Sequence, residues 1–209
     1  MEWIWILAAA VCAYLLGSIS TAILVGKILT GGDIREQGSG NAGATNALRT
    51  YGKKAAVFVL LGDALKAVLA VGVAFLLYRL GGVEESIWRP MLYAATLGAV
   101  LGHNFPLYFK FRGGKGVLVS SVSIFFVDWR IGLLVLVIAL LTMAIWRYVS
   151  LGSIVGAVAD VILAVCLHSG DWLLLVHALV LAGLLIYMHR ANIKRLISGT
   201  ENKLGQRKE

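Results

Sequence analysis

The chain has 209 residues, 59% of them hydrophobic and only 14% charged, with a mean hydropathy of +0.85. A soluble domain carries about a quarter charged and under half apolar residues, so a water-soluble fold is excluded. The net charge of +8 does not point to nucleic acid, because the basic residues lie between apolar runs and not on an amphipathic surface.

The first apolar run covers 3–25, long enough for a membrane helix, which takes about 20 residues. A cleavable signal peptide would begin with basic residues, whereas the one early charge is Glu2. Further runs at 55–78, 88–101, 117–127, 131–146, 150–167 and 172–188 bring the expected count to seven. The short run 117–127 also suits a half-span or re-entrant element, which makes five or six the alternatives. Each span must be helical, since lipid offers backbone groups no partner. The expectation is an all-α polytopic bundle forming one domain over 1–209, with Gly17, Ser18, Gly72, Gly98, Gly152 and Gly156 letting helices approach closely. Cys12 and Cys166 lie inside apolar runs, where packing is the expected role, and no metal pattern can be drawn.

Orientation follows from Lys and Arg. With the N-terminus outside, the cytoplasmic stretches 27–54, 102–116, Arg147 and the tail after Met188 hold five, three, one and six of them, against three on the other side. This positive-inside bias places the tail in the cytoplasm.

Three polar segments face that side. The first reads Gly38-Ser39-Gly40-Asn41-Ala42-Gly43-Ala44-Thr45-Asn46, followed by Arg49. It matches G-x-G-x-x-G formally, but a membrane helix precedes it where a dinucleotide fold needs a strand. What remains is a glycine loop whose N–H groups, with Ser and Asn side chains, can hold an anion. The second runs Gly102-His103-Asn104-Phe105-Pro106 to Lys110-Phe111-Arg112-Gly113-Gly114-Lys115-Gly116. Gly116 stands where a nucleotide P-loop needs Ser or Thr. Three glycines around Lys115 still suit a phosphate, whereas Lys110 and Arg112 read as membrane-surface anchors. The third segment puts His189 and Asn192 on one helix face. Within the second span, Asp63 and Lys66 stand at i, i+3 and should pair with each other or with the site. Asp160 is likewise intramembrane, and nothing in the sequence gives it a role.

Together the three segments resemble those of the bacterial acyl-phosphate:glycerol-3-phosphate acyltransferase family. Tyr14-Leu-Leu-Gly17-Ser18 and Asp63-Ala-Leu-Lys66 also match that family's pattern, and the resemblance covers nearly the whole chain. It implies acyl transfer from acyl phosphate to the 1-hydroxyl of glycerol 3-phosphate, giving lysophosphatidic acid and phosphate, with no cofactor, in the inner membrane with the site facing the cytoplasm. Ser39, Arg49, His189 and Asn192 are then the expected catalytic residues. Gly38, Gly40, Asn41, Asn46, Gly113, Gly114, Lys115 and Gly116 are the expected substrate binders. The lipid bilayer is an implied partner, and contact with the upstream enzyme that makes acyl phosphate is another. The resemblance also leads to an acidic, structure-supporting residue at position 191, where this chain has Ala191, and to Lys where it has Arg112.

Acyl phosphate is already activated, so positioning and charge neutralisation are the main demands. Direct attack by the glycerol hydroxyl fits a chain with no nucleophile elbow. A Ser39 pair with His189 or His103 is the alternative mechanism. The rival class is an anion transporter, which tends to show repeated halves with broken helices at the midplane. No such repeat is visible here.

Overall fold

The apolar run at 3–25 is broken in two. In the computed structural model, which describes residues 2–205, helix α1 (Trp3–Gly17) ends at Ser18. The Ser18 hydroxyl donates back to the Tyr14 carbonyl (2.8 Å) and accepts the Leu107 N–H (3.2 Å). The chain goes extended at Ser20 and re-enters a helix as α2 (Thr21–Thr30). Gly31, at φ +69°, then closes that helix on the Lys27 carbonyl.

The other helices follow in order: α3 (Ala44–Tyr51), α4 (Lys53–Gly81), α5 (Trp88–Asn104), α6 (Val117–Val127), α7 (Trp129–Trp146), α8 (Val149–Leu167), α9 (Trp172–Met188) and α10 (Arg190–Ile197). Asp128 caps α7 by accepting the Arg130 and Ile131 N–H groups, and Asp171 caps α9 through Leu174. No strand occurs among the described residues.

Four segments are long and apolar enough to cross a bilayer: Trp3–Thr30, Lys53–Gly81, Trp129–Trp146 and Val149–Leu167. A fifth is counted if α9 and α10, bent by 62°, form one span. The expected seven is therefore four or five on this measure. Helices α5 and α9 stop at 17 residues, and α6 has only 11.

The chain divides into two compact units, residues 1–123 and 124–209. In the first, α1 and α5 meet along small residues. A methyl added at Gly17 would overlap the Ala99 carbonyl, and one at Gly102 the Tyr14 carbonyl; one at Gly98 would come within 2.5 Å of Ala10 O. Gly72 does not belong to such a seam, for a methyl there meets nothing. Helix α4 buries Asp63, Lys66, Ala67, Ala70 and Ala74 and turns Phe58, Leu61, Leu65, Leu69 and Leu76 outward, the partition expected of a helix with one face in lipid. In the second unit Gly152 packs on Ala139 and Met143, and Gly156 on Val135, joining α8 to α7. Cys166 faces outward and is exposed, so it is not a packing residue.

Candidate functional site

The first glycine loop has its own small core. Asp33 accepts the Arg35 N–H (2.9 Å) and starts a 3₁₀ turn over Ile34–Glu36. Ile34, fully buried, packs with Ala22, Ile23, Ala42, Ala47 and Val59. Gly38 and Gly40 take φ of +59° and +70°, the region where glycine is needed. Asn46 staples the loop from inside: Nδ2 donates to the carbonyls of Ile34 (3.1 Å) and Gln37 (3.0 Å), and Oδ1 accepts the Ser39 N–H (2.8 Å). A methyl at Gly38 would overlap that carboxamide. Ser39 is left exposed on the crest, and α3 carries Arg49 at an exposed position in its last turn. The loop is therefore a built, packed element with a polar outer edge.

The second loop folds back on the end of α5. Gly113 N–H donates to Asn104 O and Gly114 N–H to His103 O, both at 3.1 Å. Methyls on Gly113 and Gly114 would overlap His103, and the second would also lie 2.7 Å from the Ala42 carbonyl of the first loop. Gly116, at φ +76°, completes the approach to α6. Arg35 clasps the two loops. It forms a forked ion pair with Asp33 (Nη2–Oδ2 2.6 Å), and its Nη1 donates to the carbonyls of Phe109 (2.8 Å) and Arg112 (2.7 Å). The Arg35 guanidinium, beside Asp33, holds that carboxyl below the usual range.

Beneath this face lies a buried charged triad. The Lys66 ammonium sits 2.9 Å from Asp63 Oδ1, donates to the Ile19 carbonyl (3.1 Å) and lies 2.8 Å from His103 Nδ1. Asp63 Oδ1 is near enough to Lys66 for an ion pair but off the line of a hydrogen bond. The expected intramembrane pair thus exists and has a third member.

The third segment belongs to the unit 124–209. Both expected residues there are buried, His189 to 2% exposure and Asn192 to 5%. His189 Nδ1 meets the Leu185 carbonyl at 2.8 Å, so it carries the proton, and in the neutral ring Nε2 is an acceptor. Glu201 organises this segment: Oε1 accepts from Asn192 Nδ2 (2.7 Å) and Ser150 Oγ (3.0 Å), and Oε2 from Arg195 Nε (2.7 Å). Burial pushes the Glu201 carboxyl up, but the hydrogen bonds from Asn192, Arg195 and Ser150 outweigh it and hold the group below its usual value. The acidic support sought at position 191 therefore stands at Glu201, while Ala191 is exposed. His168 bonds Asp128 at 2.7 Å elsewhere in this unit.

Arg35, Glu201, Ser150 and the link of His103 to Lys66 escaped the sequence reading. Each depends on a contact across many positions: 74 and 77 for Arg35, 51 for Ser150 and 37 for His103. One signal was available, because Asp33 and Arg35 stand two residues apart just ahead of the glycine-rich run that begins at Gly38, at the spacing of a side-chain turn.

A helical chain with several bilayer-length apolar helices and two interlocked glycine loops, one holding Lys115 and the other leading into α3 with Arg49, is an integral membrane protein with polar segments suited to anions. The model of the glycerol-3-phosphate acyltransferase family matches residues 7–199. The chain belongs to that family of membrane acyltransferases. It is 46% identical to the glycerol-3-phosphate acyltransferase of Clostridioides difficile (strain 630) over the whole of both chains. It is 44% identical to that of Coxiella burnetii (strain RSA 493 / Nine Mile phase I) over 93% of this chain and 95% of the relative. Among solved structures it resembles PlsY, an integral membrane glycerol 3-phosphate acyltransferase, in its glycerol 3-phosphate form, with a TM-score of 0.82 and 35% identity over 96% of each chain. The lysophosphatidic acid form of that enzyme gives 0.78 and 36% identity, over 96% of this chain and 95% of the other.

Proposed function

We propose that this acyltransferase moves a fatty acyl group from acyl phosphate to the 1-hydroxyl of glycerol 3-phosphate, at the cytoplasmic surface of the inner membrane. The observation that carries the reading is the interlock of the two glycine loops, which joins the segment leading to the cationic donor Arg49 to the segment holding the cationic donor Lys115. Both substrates bear phosphate, and such donors neutralise it without any reorganisation during reaction.

In this reading the glycerol hydroxyl attacks the acyl carbonyl carbon, the new ester C–O bond forms, and the acyl–phosphate C–O bond breaks. The hydroxyl proton ends on the released phosphate. Lys115 and Gly116 hold the phosphate of glycerol 3-phosphate, Gly113 and Gly114, whose N–H groups bond Asn104 and His103, shape that loop, and Gly38, Gly40 and Asn41 line the facing loop. Ser39 and Arg49 orient and neutralise the acyl phosphate. His189 and Asn192, in the third segment, are the remaining residues assigned to catalysis in this reading. Asn46, all of whose polar atoms are engaged within the loop, acts by shaping it. The exposed apolar helix faces give the acyl tail a route from the bilayer, and the upstream enzyme that makes acyl phosphate is the proposed partner.

The test is turnover by the purified protein in detergent or vesicles, with glycerol 3-phosphate and either acyl phosphate or acyl-CoA. Lysophosphatidic acid from acyl phosphate alone is the expected result. Product only from acyl-CoA, or a stable acyl group on Ser39 in a trapped reaction, would overturn donor and direct attack respectively.

A further inference from the structure

The Asp63–Lys66–His103 triad is the most deeply buried cluster of ionisable groups described, with side-chain exposures of 5%, 5% and 8%. Bringing charges to such depth is unfavourable, and a structural pair gains little over an apolar one. What the third member gains is a defined protonation. An ammonium has three hydrogens and no lone pair. Lys66 can therefore only donate, and it does so to the Ile19 carbonyl while its Nζ lies 2.8 Å from His103 Nδ1. Nδ1 must therefore be the acceptor nitrogen, and the ring proton sits on Nε2. Asp63, 2.9 Å from Nζ, supplies the counter-charge of the ammonium.

The opposite edge of the ring points at the loop junction. A methyl built on Gly114 would overlap His103 Nε2 and stand 2.7 Å from the Ala42 carbonyl, so this N–H edge lies where the first loop meets the second, next to Lys115 in sequence. We propose that His103 is a positioning residue for glycerol 3-phosphate: Lys66 and Asp63 hold it as the Nε2–H tautomer, and its N–H edge sets the seam between the glycine loops and thereby the aim of Lys115. This rests on the reading of Lys115 as the phosphate ligand. It also explains why ionisable residues at this depth of α4 are useful, and why position 114 has no side chain.

The test has two arms. In protein labelled with [15N]histidine, with the His103→Asn variant assigning the resonance among four histidines, Nδ1 of His103 should show the shift of an unprotonated nitrogen and Nε2 that of a protonated one. In kinetics, His103→Asn retains an acceptor for Lys66 but loses the N–H edge. It should keep its thermal unfolding midpoint and raise the KM for glycerol 3-phosphate about tenfold, with kcat changed by less than about threefold. His103→Gln, whose amide reaches the Nε2 position, should recover most of the KM. The Asp63→Asn/Lys66→Met double variant removes both charges together. It should fold, show His103 as a mixture of tautomers, and share the raised KM. A proton on Nδ1, an unchanged KM in His103→Asn, or a loss confined to kcat would each overturn the proposal. The spectroscopic arm needs no turnover, so a protein that fails to use these substrates refutes the functional reading while leaving the tautomer measurable.

Discussion

The two units hold their polar segments by different means. In residues 1–123 the loops are tied by backbone: Asn46 bonds main-chain groups, Arg35 bonds carbonyls, and glycines set the spacing. In the unit 124–209 one carboxylate, Glu201, gathers three side chains. The histidines differ in the same way. His103 accepts at Nδ1 from a buried lysine, whereas His189 donates at Nδ1 to the Leu185 carbonyl. The contrast implies that the first unit is sensitive to shape and the second to charge.

The contrast can be broken most forcefully at Lys115. Lys115→Ala should lower kcat/KM for glycerol 3-phosphate by about 10²- to 10³-fold, the usual cost of losing one positioned charge donor, without changing the unfolding midpoint. Steady-state kinetics beside a melting curve check both parts. A stability loss in place of a kinetic one would make Lys115 a scaffold residue.

Asn46→Ala tests the backbone staple. It strands two carbonyls and the Ser39 N–H, a cost of roughly 3 kcal/mol, and should lower the unfolding midpoint together with activity. An unaltered melt would show that the loop keeps its form without the carboxamide.

For the second unit, Glu201→Gln keeps an acceptor for Asn192 and Ser150 but removes the charge facing Arg195, which should cost about 1–2 kcal/mol. It should also change the acid limb of stability. The folded Glu201 carboxyl lies below its ordinary value of 4.5. Its contribution is therefore complete above about pH 4.5 and is lost as pH falls through the folded value. Melting curves from pH 7 downward should converge for the variant and the parent in acid. Parallel curves would refute the role given to this carboxylate.

The smallest effect is expected at Ala191→Glu. The position is exposed and the acidic role is already filled, so stability and activity should move by no more than about 0.5 kcal/mol.

Composition and hydropathy made the helical membrane fold legible, and the apolar runs at 117–127 and 172–188 coincide with α6 and α9. The glycine loops were legible because local spacing carries their chemistry. The break at Ser18–Ser20 was not, since an apolar run does not reveal that Ser18 bonds Leu107 far along the chain. The acidic residue of the third segment was sought within the helix at 191, but a return of the chain after α10 delivers it from Glu201. Hydropathy gives seven runs where four or five segments reach bilayer length, because α5 and α9 end after 17 residues and α6 after 11.

The Arg35 clasp has a consequence for biogenesis. Its two carbonyl acceptors lie 74 and 77 residues further along the chain. At ribosomal speeds of 5–20 residues per second, that separation amounts to roughly 4–15 s. During this interval the newly made amino-terminal helices carry a half-formed polar edge that has nothing to grip. Any nascent or truncated polypeptide ending before Phe109 consequently lacks the closure that joins the glycine loops, which makes the acquisition of activity a late event in synthesis and insertion.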